Sequence, residues 1–285
     1  MKAVILPAHG PAENLQYVTD FPDPTPGPGE VRLRVGASSL NRLDLFVREG
    51  WPGLQLEMPH VLGADAAGTV ESLGEGVTGW AVGDRAVVDP SVSCGRCEYC
   101  RAGQQNLCVD FSILGEHRRG SNAEYLVISA RNLLRLPDHV SDQQAAAAGL
   151  VYLTAWHSLI TRGGLRPGER VLIVGAGGGV STASVQIAKL AGATVYVVGS
   201  SDDKLERAAA LGADVLINRH HEDWSRAVYQ LTDRRGVDVV VDNVGQATLF
   251  GSIRAVRKGG RILIVGNTSG PQFELDLRYI FGKHL

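Results

Sequence analysis

The sequence has no cysteine outside the window from Cys94 to Cys108, so disulfides spread along the chain to tie distant segments are excluded. No apolar run is long enough to span a bilayer, and Met1–Gly10 lacks a secretory-signal pattern, so the expected location is the cytoplasm. Charge is nearly balanced, 28 Lys and Arg against 30 Asp and Glu, for a net of −2. That gives no electrostatic basis for binding nucleic acid or an acidic membrane surface. Glycine, by contrast, is abundant: 35 of 285 residues, against a usual share of ~7%. With 44% hydrophobic and 20% charged residues, the chain reads as globular. Its length allows two domains of ordinary size.

The rest is organised around Arg170–Gly192. Arg170 to Val174 forms a short apolar strand pattern, followed by a cluster of Gly175, Gly177, Gly178 and Gly179. A helical pattern then runs from Val180 to Ala191 and stops at Gly192, a C-cap residue. Glycines at such a turn let the backbone approach a pyrophosphate, and the helix N-terminus offers it unpaired N–H groups. Tight turns use the same residues, so the turn alone decides nothing.

The flanking segments do decide. Ser141 and Gln144 have capping-box spacing for a helix through Ala148, and a second apolar helical stretch covers Tyr152–Ile160. Strand and helix patterns then alternate. Strands are expected at Arg170–Val174, Thr194–Val198, Val215–Ile217, Val237–Asp242 and Arg261–Val265. Helices are expected at Asp202–Leu211, Glu222–Asp233 and Gln246–Arg257. Near-continuous apolar strands with short links require a parallel sheet covered on both faces. With the glycine turn, this is an α/β, doubly wound dinucleotide-binding domain.

Met1–Pro137 is β-rich. Strands are expected at Lys2–Leu6, Val31–Ala37, Gly68–Leu73, Asp84–Val88, Glu124–Ser129 and Leu133–Leu136, with one short helix at Arg42–Arg48. Val31, Leu33, Val35 and Ala37 share one face, with Arg32 and Arg34 on the other. The spacing suggests a partly closed barrel. Within it, Cys94, Cys97, Cys100 and Cys108 can fold a loop around one tetrahedral ion. Four soft thiolates suit zinc and leave no position for water, so the site is structural. An iron–sulfur cluster, or simply reduced or disulfide-bonded cysteines, are the alternatives.

The second parallel strand leads into Val198-Gly199-Ser200-Ser201-Asp202-Asp203-Lys204, with no carboxylate at its tip to take a ribose 2′-hydroxyl. Ser200, Ser201 and Lys204 suit a 2′-phosphate. NADP(H) is therefore expected, with NAD(H) possible. The plain alternative is that Lys204 is a solvated helix residue and Asp202 the helix N-cap.

At this point the chain resembles the medium-chain dehydrogenase/reductase superfamily, the zinc-type alcohol dehydrogenases and their quinone oxidoreductase relatives. The resemblance rests on Gly29-Glu30-Val31, Leu62-Gly63-Ala64-Asp65-Ala66-Ala67-Gly68, the cysteine lobe, Gly120 through Glu124-Tyr125, and the cofactor domain. It implies a GroES-like β-barrel domain over residues 1–138, with a zinc lobe at about 92–110, and a Rossmann domain over 139–285. It places the active site between them. It further implies cofactor contacts at Thr154, Val180, Asn218, Asn243, Val244 and Gly266, and a homodimer or homotetramer. Relatives run on past a sixth strand, so the expectation is a chain incomplete at its C-terminus, with an open sheet edge beside Arg261–Val265. Ser181 stands where relatives often carry glycine, which is expected to loosen helix packing slightly.

The departures bear on chemistry. Where zinc alcohol dehydrogenases carry a cysteine, a histidine with a glutamate, and a further ligand, this sequence has Asn41, Ala64 with Asp65, and Leu150. Alanine and leucine cannot ligate a metal. The pair Asn41 and Asp44 resembles the zinc-independent quinone oxidoreductases, which implies hydride transfer from NADPH to a quinone or another conjugated carbonyl. Such an acceptor needs positioning and a hydrogen-bond donor rather than a Lewis acid. Asn41 is the candidate donor and Asp44 the candidate orienting group. Equally, Asn41 caps the helix at Arg42, and Asp44 is a solvated side chain. His60 and His117 lack a histidine partner at metal-ligand spacing and read as packed or surface residues. The alternatives are a zinc-type alcohol dehydrogenase and a nucleotide-binding relative without turnover.

Overall fold

The computed structural model describes all 285 residues. They divide into two compact units, Met1–Leu150 and Val151–Leu285.

In the first unit the strands are β1 (Ala3–Leu6), β2 (Gln16–Val18), β3 (Glu30–Ser39), β4 (His60–Val61), β5 (Asp65–Leu73), β6 (Arg85–Val88), β7 (Ser91–Val92), β8 (Ser112–Ile113), β9 (Tyr125–Ser129) and β10 (Leu133–Arg135). Helix α1 covers Arg42–Glu49 and α2 covers Glu98–Arg101. The main sheet is antiparallel in the order β10-β6-β5-β3-β9. Alternation on β3 drives its pairing. Val31 and Leu33 point into a core with Val70, Val88, Leu126 and Ile128, while Arg34 is exposed. A smaller sheet, β2-β1-β4, buries Ala3, Ile5 and Val61 against Phe21. The two-residue strands are too short to carry a pattern, and sequence reading misses them.

Helix α3 runs unbroken over Asp142–Trp156 and passes into a π-helical turn at His157–Arg162. The sequence pattern puts two separate helices there, broken near Gly149. Ser141 and Gln144 do form the reciprocal cap: the Ser141 N–H donates to Gln144 Oε1 at 3.0 Å, and the Gln144 N–H to Ser141 Oγ at 3.2 Å. The first half of α3 packs Ala145 and Ala146 on Ala67 and Leu136. That packing places it in the first compact unit.

In the second unit β11 (Arg170–Val174), β12 (Thr194–Gly199), β13 (Val215–Asn218), β14 (Val237–Asp242) and β15 (Val256–Ile264) form a parallel sheet. Its order is β13-β12-β11-β14-β15, so β15 is an edge strand. The helices are α4 (Gly179–Leu190), α5 (Asp202–Ala210), α6 (Trp224–Leu231), α7 (Leu249–Ala255) and α8 (Arg278–Lys283). Val171, Ile173, Val195 and Val197 feed the core on one face; Leu172, Val174, Tyr196 and Val198 feed the other. Burial on both faces is why these strands read as apolar runs.

The expected helix at Gln246–Arg257 and strand at Arg261–Val265 are displaced: α7 stops at Ala255 and β15 begins at Val256. The reason is a bulge. Val237 pairs with Val256 but Val239 pairs with Arg261, and within the extra residues Arg257 turns to Asp238 at 2.5 Å. Helix α6 is shorter than Glu222–Asp233 because Asp223 caps it, accepting from the N–H groups of Ser225 and Arg226 at 3.0 and 3.2 Å. No helix is long and apolar enough to cross a membrane.

Candidate functional site

The glycine turn links β11 to α4. Gly175 has φ +105°, a conformation that favours glycine. A Cβ on Gly177 would meet the alkyl stem of Lys204 at 3.1 Å. On Gly179 it would meet Val151 of α3 at 2.8 Å. Gly178 occupies the N-cap position and offers no side chain to the first N–H groups of α4, leaving them for an anion. Val180 is half-buried behind the turn. This cradle fits a dinucleotide pyrophosphate.

Ser181 does not loosen the helix. It is 2% exposed, and its hydroxyl accepts from Asn243 Nδ2 at 3.1 Å. Asn243 stands with Val244 just past β14, on a loop anchored by a residue that sequence reading passes over as a strand end. The fully buried Asp242 carboxylate accepts from the N–H groups of Val244 and Gly245, both at 2.9 Å, and from the hydroxyls of Thr248 and Ser252. Across this loop, a Cβ on Gly266 would lie 2.6 Å from the Asn243 carbonyl oxygen.

Past β12, Ser200 precedes Ser201, which sits with extended backbone at the N-cap position of α5. Asp202, the alternative cap, is the first residue of the helix proper. Its carboxylate instead accepts from Asn218 Nδ2 at 2.7 Å, while Asn218 Oδ1 accepts from the His220 N–H at 3.0 Å. Asn218 therefore braces the turn. Lys204 is exposed, its stem lying over Gly177. Thr154 lies in α3, and its carbonyl accepts from Ser158 Oγ at 2.7 Å.

In the first unit, Asn41 is at the N-cap position of α1, and its backbone N–H donates to Asp44 Oδ2 at 2.6 Å. Asp44 is not solvated. It is 6% exposed, and its other oxygen accepts from the Gly63 N–H at 3.0 Å. Burial raises its pKa against the pull of those two N–H groups, and the charge of Asp65 adds to the rise. The Asn41 amide does more than cap: Nδ2 donates to Asp65 Oδ2 at 2.8 Å. The same oxygen accepts from Ser39 Oγ at 2.8 Å, and Asp65 Oδ1 accepts from the Leu150 N–H at 2.6 Å. Asp65 is 1% exposed. In the sequence Asp65 stands only as a missing ligand; a carboxylate in an alanine–glycine run has no local signal of its partners.

His60 is 1% exposed with Nε2 3.0 Å from the Gly115 carbonyl oxygen, a packed residue whose pKa is lowered by burial. His117 is partly exposed beside Glu116.

The four cysteine sulfurs lie within 4.8 Å of one another, with Cys94 and Cys100 Sγ 4.0 Å apart. Tetrahedral Zn–S bonds of about 2.3 Å imply S···S separations of about 3.8 Å, so this donor set fits one zinc ion. Backbone N–H groups of Arg96 and Cys97 bring the Cys94 thiol down to about 6. Against the pull of the Cys94 N–H, burial and the sulfurs of Cys94 and Cys100 push Cys108 up to about 11, so an ion is needed to draw all four into thiolate form.

Comparison with known proteins agrees with these features. The alcohol dehydrogenase GroES-like domain family matches residues 27–138, and the zinc-binding dehydrogenase family matches residues 179–285. An acryloyl-coenzyme A reductase of Sulfurisphaera tokodaii is 32% identical over 286 residues, covering 100% of this chain and 83% of the relative. The crystal structure of an NAD-dependent alcohol dehydrogenase superposes with a TM-score of 0.93 at 46% identity, covering 100% of this chain and 83% of that one. A quinone oxidoreductase of Pseudomonas syringae pv. Tomato DC3000 superposes with a TM-score of 0.83 at 34% identity, covering 99% of this chain and 78% of that one. With its GroES-like and Rossmann domains, the chain belongs to the medium-chain dehydrogenase/reductase superfamily and is an NAD(P)-dependent oxidoreductase.

Proposed function

We propose that this oxidoreductase reduces a quinone or an α,β-unsaturated carbonyl with NADPH, without a catalytic metal, and carries one structural zinc on Cys94, Cys97, Cys100 and Cys108. The observation that carries this reading is the fate of Asp65. Where the resemblance calls for metal ligands, Asn41, Ala64 and Leu150 supply no anionic or imidazole donor, and the carboxylate of Asp65 is spent on three hydrogen bonds. Relatives named for acryloyl-coenzyme A and quinone reduction fit the same electron-poor acceptor class.

NADPH, when bound, would supply a hydride, and the reduced acceptor would take its proton from solvent. Gly175, Gly177, Gly178 and Gly179 hold the pyrophosphate on the N-terminus of α4. Ser200, Ser201 and Lys204 hold the 2′-phosphate. Val244 and Gly266 border the cofactor, with Asn243 and Asn218 bracing their loops. Asn41 donates an N–H to the acceptor carbonyl oxygen as charge gathers there. Asp44 keeps the turn before α1 in place.

The test is NADPH oxidation with benzoquinone, methyl vinyl ketone and an unsaturated thioester, before and after mild chelation that leaves the cysteine-bound zinc in place. Turnover unchanged by chelation is expected. The second reading is an NAD-dependent alcohol dehydrogenase, favoured by the 46% identical relative. Two zinc ions per chain, with alcohol oxidation lost on mild chelation, would establish it instead.

A further inference from the structure

We propose that Asp65 is the positioning residue of this reaction, fixing the Asn41 carboxamide so that its remaining N–H faces the acceptor carbonyl oxygen. This rests on the reading of Asn41 as the donor to that oxygen. A carboxamide has two nearly isosteric ends, one donating and one accepting. Turned about, Asn41 would present its oxygen to the acceptor oxygen and repel the charge that develops there. A neighbour that only accepts removes the ambiguity, and Asp65 Oδ2, 2.8 Å from Asn41 Nδ2, is such a neighbour.

Asp65 can hold that orientation because it cannot move. It is 1% exposed and anchored on Ser39 Oγ at 2.8 Å and the Leu150 N–H at 2.6 Å, so its oxygens make charge-assisted bonds on both sides. Its Oδ1 fills the space a side chain on Gly149 would need. Adjacent Leu40 is 83% exposed, so the segment carrying Asn41 reaches the surface where an acceptor can arrive.

The experiment is a double-mutant cycle on the intact enzyme with Asp65→Asn and Asn41→Ala, using NADPH and the acceptors above. Asp65→Asn alone is expected to lower kcat about 100- to 1,000-fold, the scale of losing one preorganised donor to a developing oxyanion. NADPH affinity by fluorescence should change little, whereas Tm should fall, because Asn cannot accept all three bonds that the Asp65 carboxylate accepts. In the Asn41→Ala background it should cause no further loss, because Asp65 acts through Asn41. Infrared difference spectra should show the bound acceptor's carbonyl stretch lowered in the wild type, with that lowering lost in both single variants. Wild-type kcat in Asp65→Asn, or an equal loss in both backgrounds, overturns the positioning role alone. A wild-type enzyme inert on every acceptor overturns the functional reading and this inference with it. If Asp65→Asn does not fold, side-chain amide NMR of the wild type decides. One protected N–H on a single Asn41 rotamer supports the role; averaged, exchanging amide protons overturn it.

Discussion

The carboxylate oxygen Oδ1 of Asp65 occupies the space in which a side chain on Gly149 would begin. Inside an exposed helix, Gly→Ala ordinarily stabilises by about 1 kcal/mol. At Gly149 the sign reverses, because the obstructing atom belongs to a buried, anchored side chain rather than a flexible one. We expect Gly149→Ala to destabilise the protein by about 1–3 kcal/mol, the cost of overpacking. It should also depress turnover by moving Asp65. Thermal melts check it; a raised Tm would contradict the contact.

The cysteine lobe should hold one zinc per chain, seen by elemental analysis. Stripping it with a strong chelator, or changing Cys108→Ser, should open the loop from Cys94 to Cys108 to proteases. The Rossmann unit should keep its far-ultraviolet dichroism. Full metal loss with no change in proteolysis would contradict a structural ion.

Lys204 is exposed, with its alkyl stem laid along Gly177 of the proposed phosphate-binding turn. A hydrogen bond to a charged group is worth about 1.5–3 kcal/mol, so Lys204→Ala should raise KM for NADPH about 10- to 150-fold. KM for NADH should move far less. Equal loss for both cofactors would place Lys204 at the pyrophosphate instead.

Asp238 gives a pH signature. Its side chain is 5% exposed and paired with Arg235 at 2.7 Å and Arg257 at 2.5 Å. Burial alone would raise its pKa, but Arg235, the Arg170 N–H and Arg257 hold it far below the usual carboxylate range. The native state therefore binds fewer protons than the unfolded state in the interval between the two pKa values. The stabilisation is present above about pH 4, the unfolded value, and is lost as pH falls toward the native one. Breaking a buried pair costs about 3–5 kcal/mol. Here the guanidiniums reach solvent, 49% and 27% exposed, so we expect Asp238→Asn to cost less, about 1–3 kcal/mol. Urea midpoints against pH should converge for wild type and variant in acid; a constant gap would contradict the linkage.

Much of this was legible because it is local. Four cysteines within one loop and a glycine run between an apolar strand and a helix each carry their meaning in neighbouring residues. Val171 through Val174 read as a doubly buried strand for the same reason. The Asp65 hub was not legible: its partners Asn41 and Leu150 are 24 and 85 residues away. Gly149 misleads in the same way, since a glycine in a helical pattern reads as a break until the carboxylate that demands it is seen. Asp242 hides at the end of a run of valines, where it reads as one more strand residue although Val244, Gly245, Thr248 and Ser252 all donate to it.

The amide of Asn243, resting on the Ser181 hydroxyl, joins two segments 62 residues apart that the proposed function places at the nucleotide. A tie of this kind shifts the entropic cost of gathering the loop from the arrival of nucleotide to the folding of the domain. If nucleotide binds as proposed, less of its binding energy goes to ordering this loop.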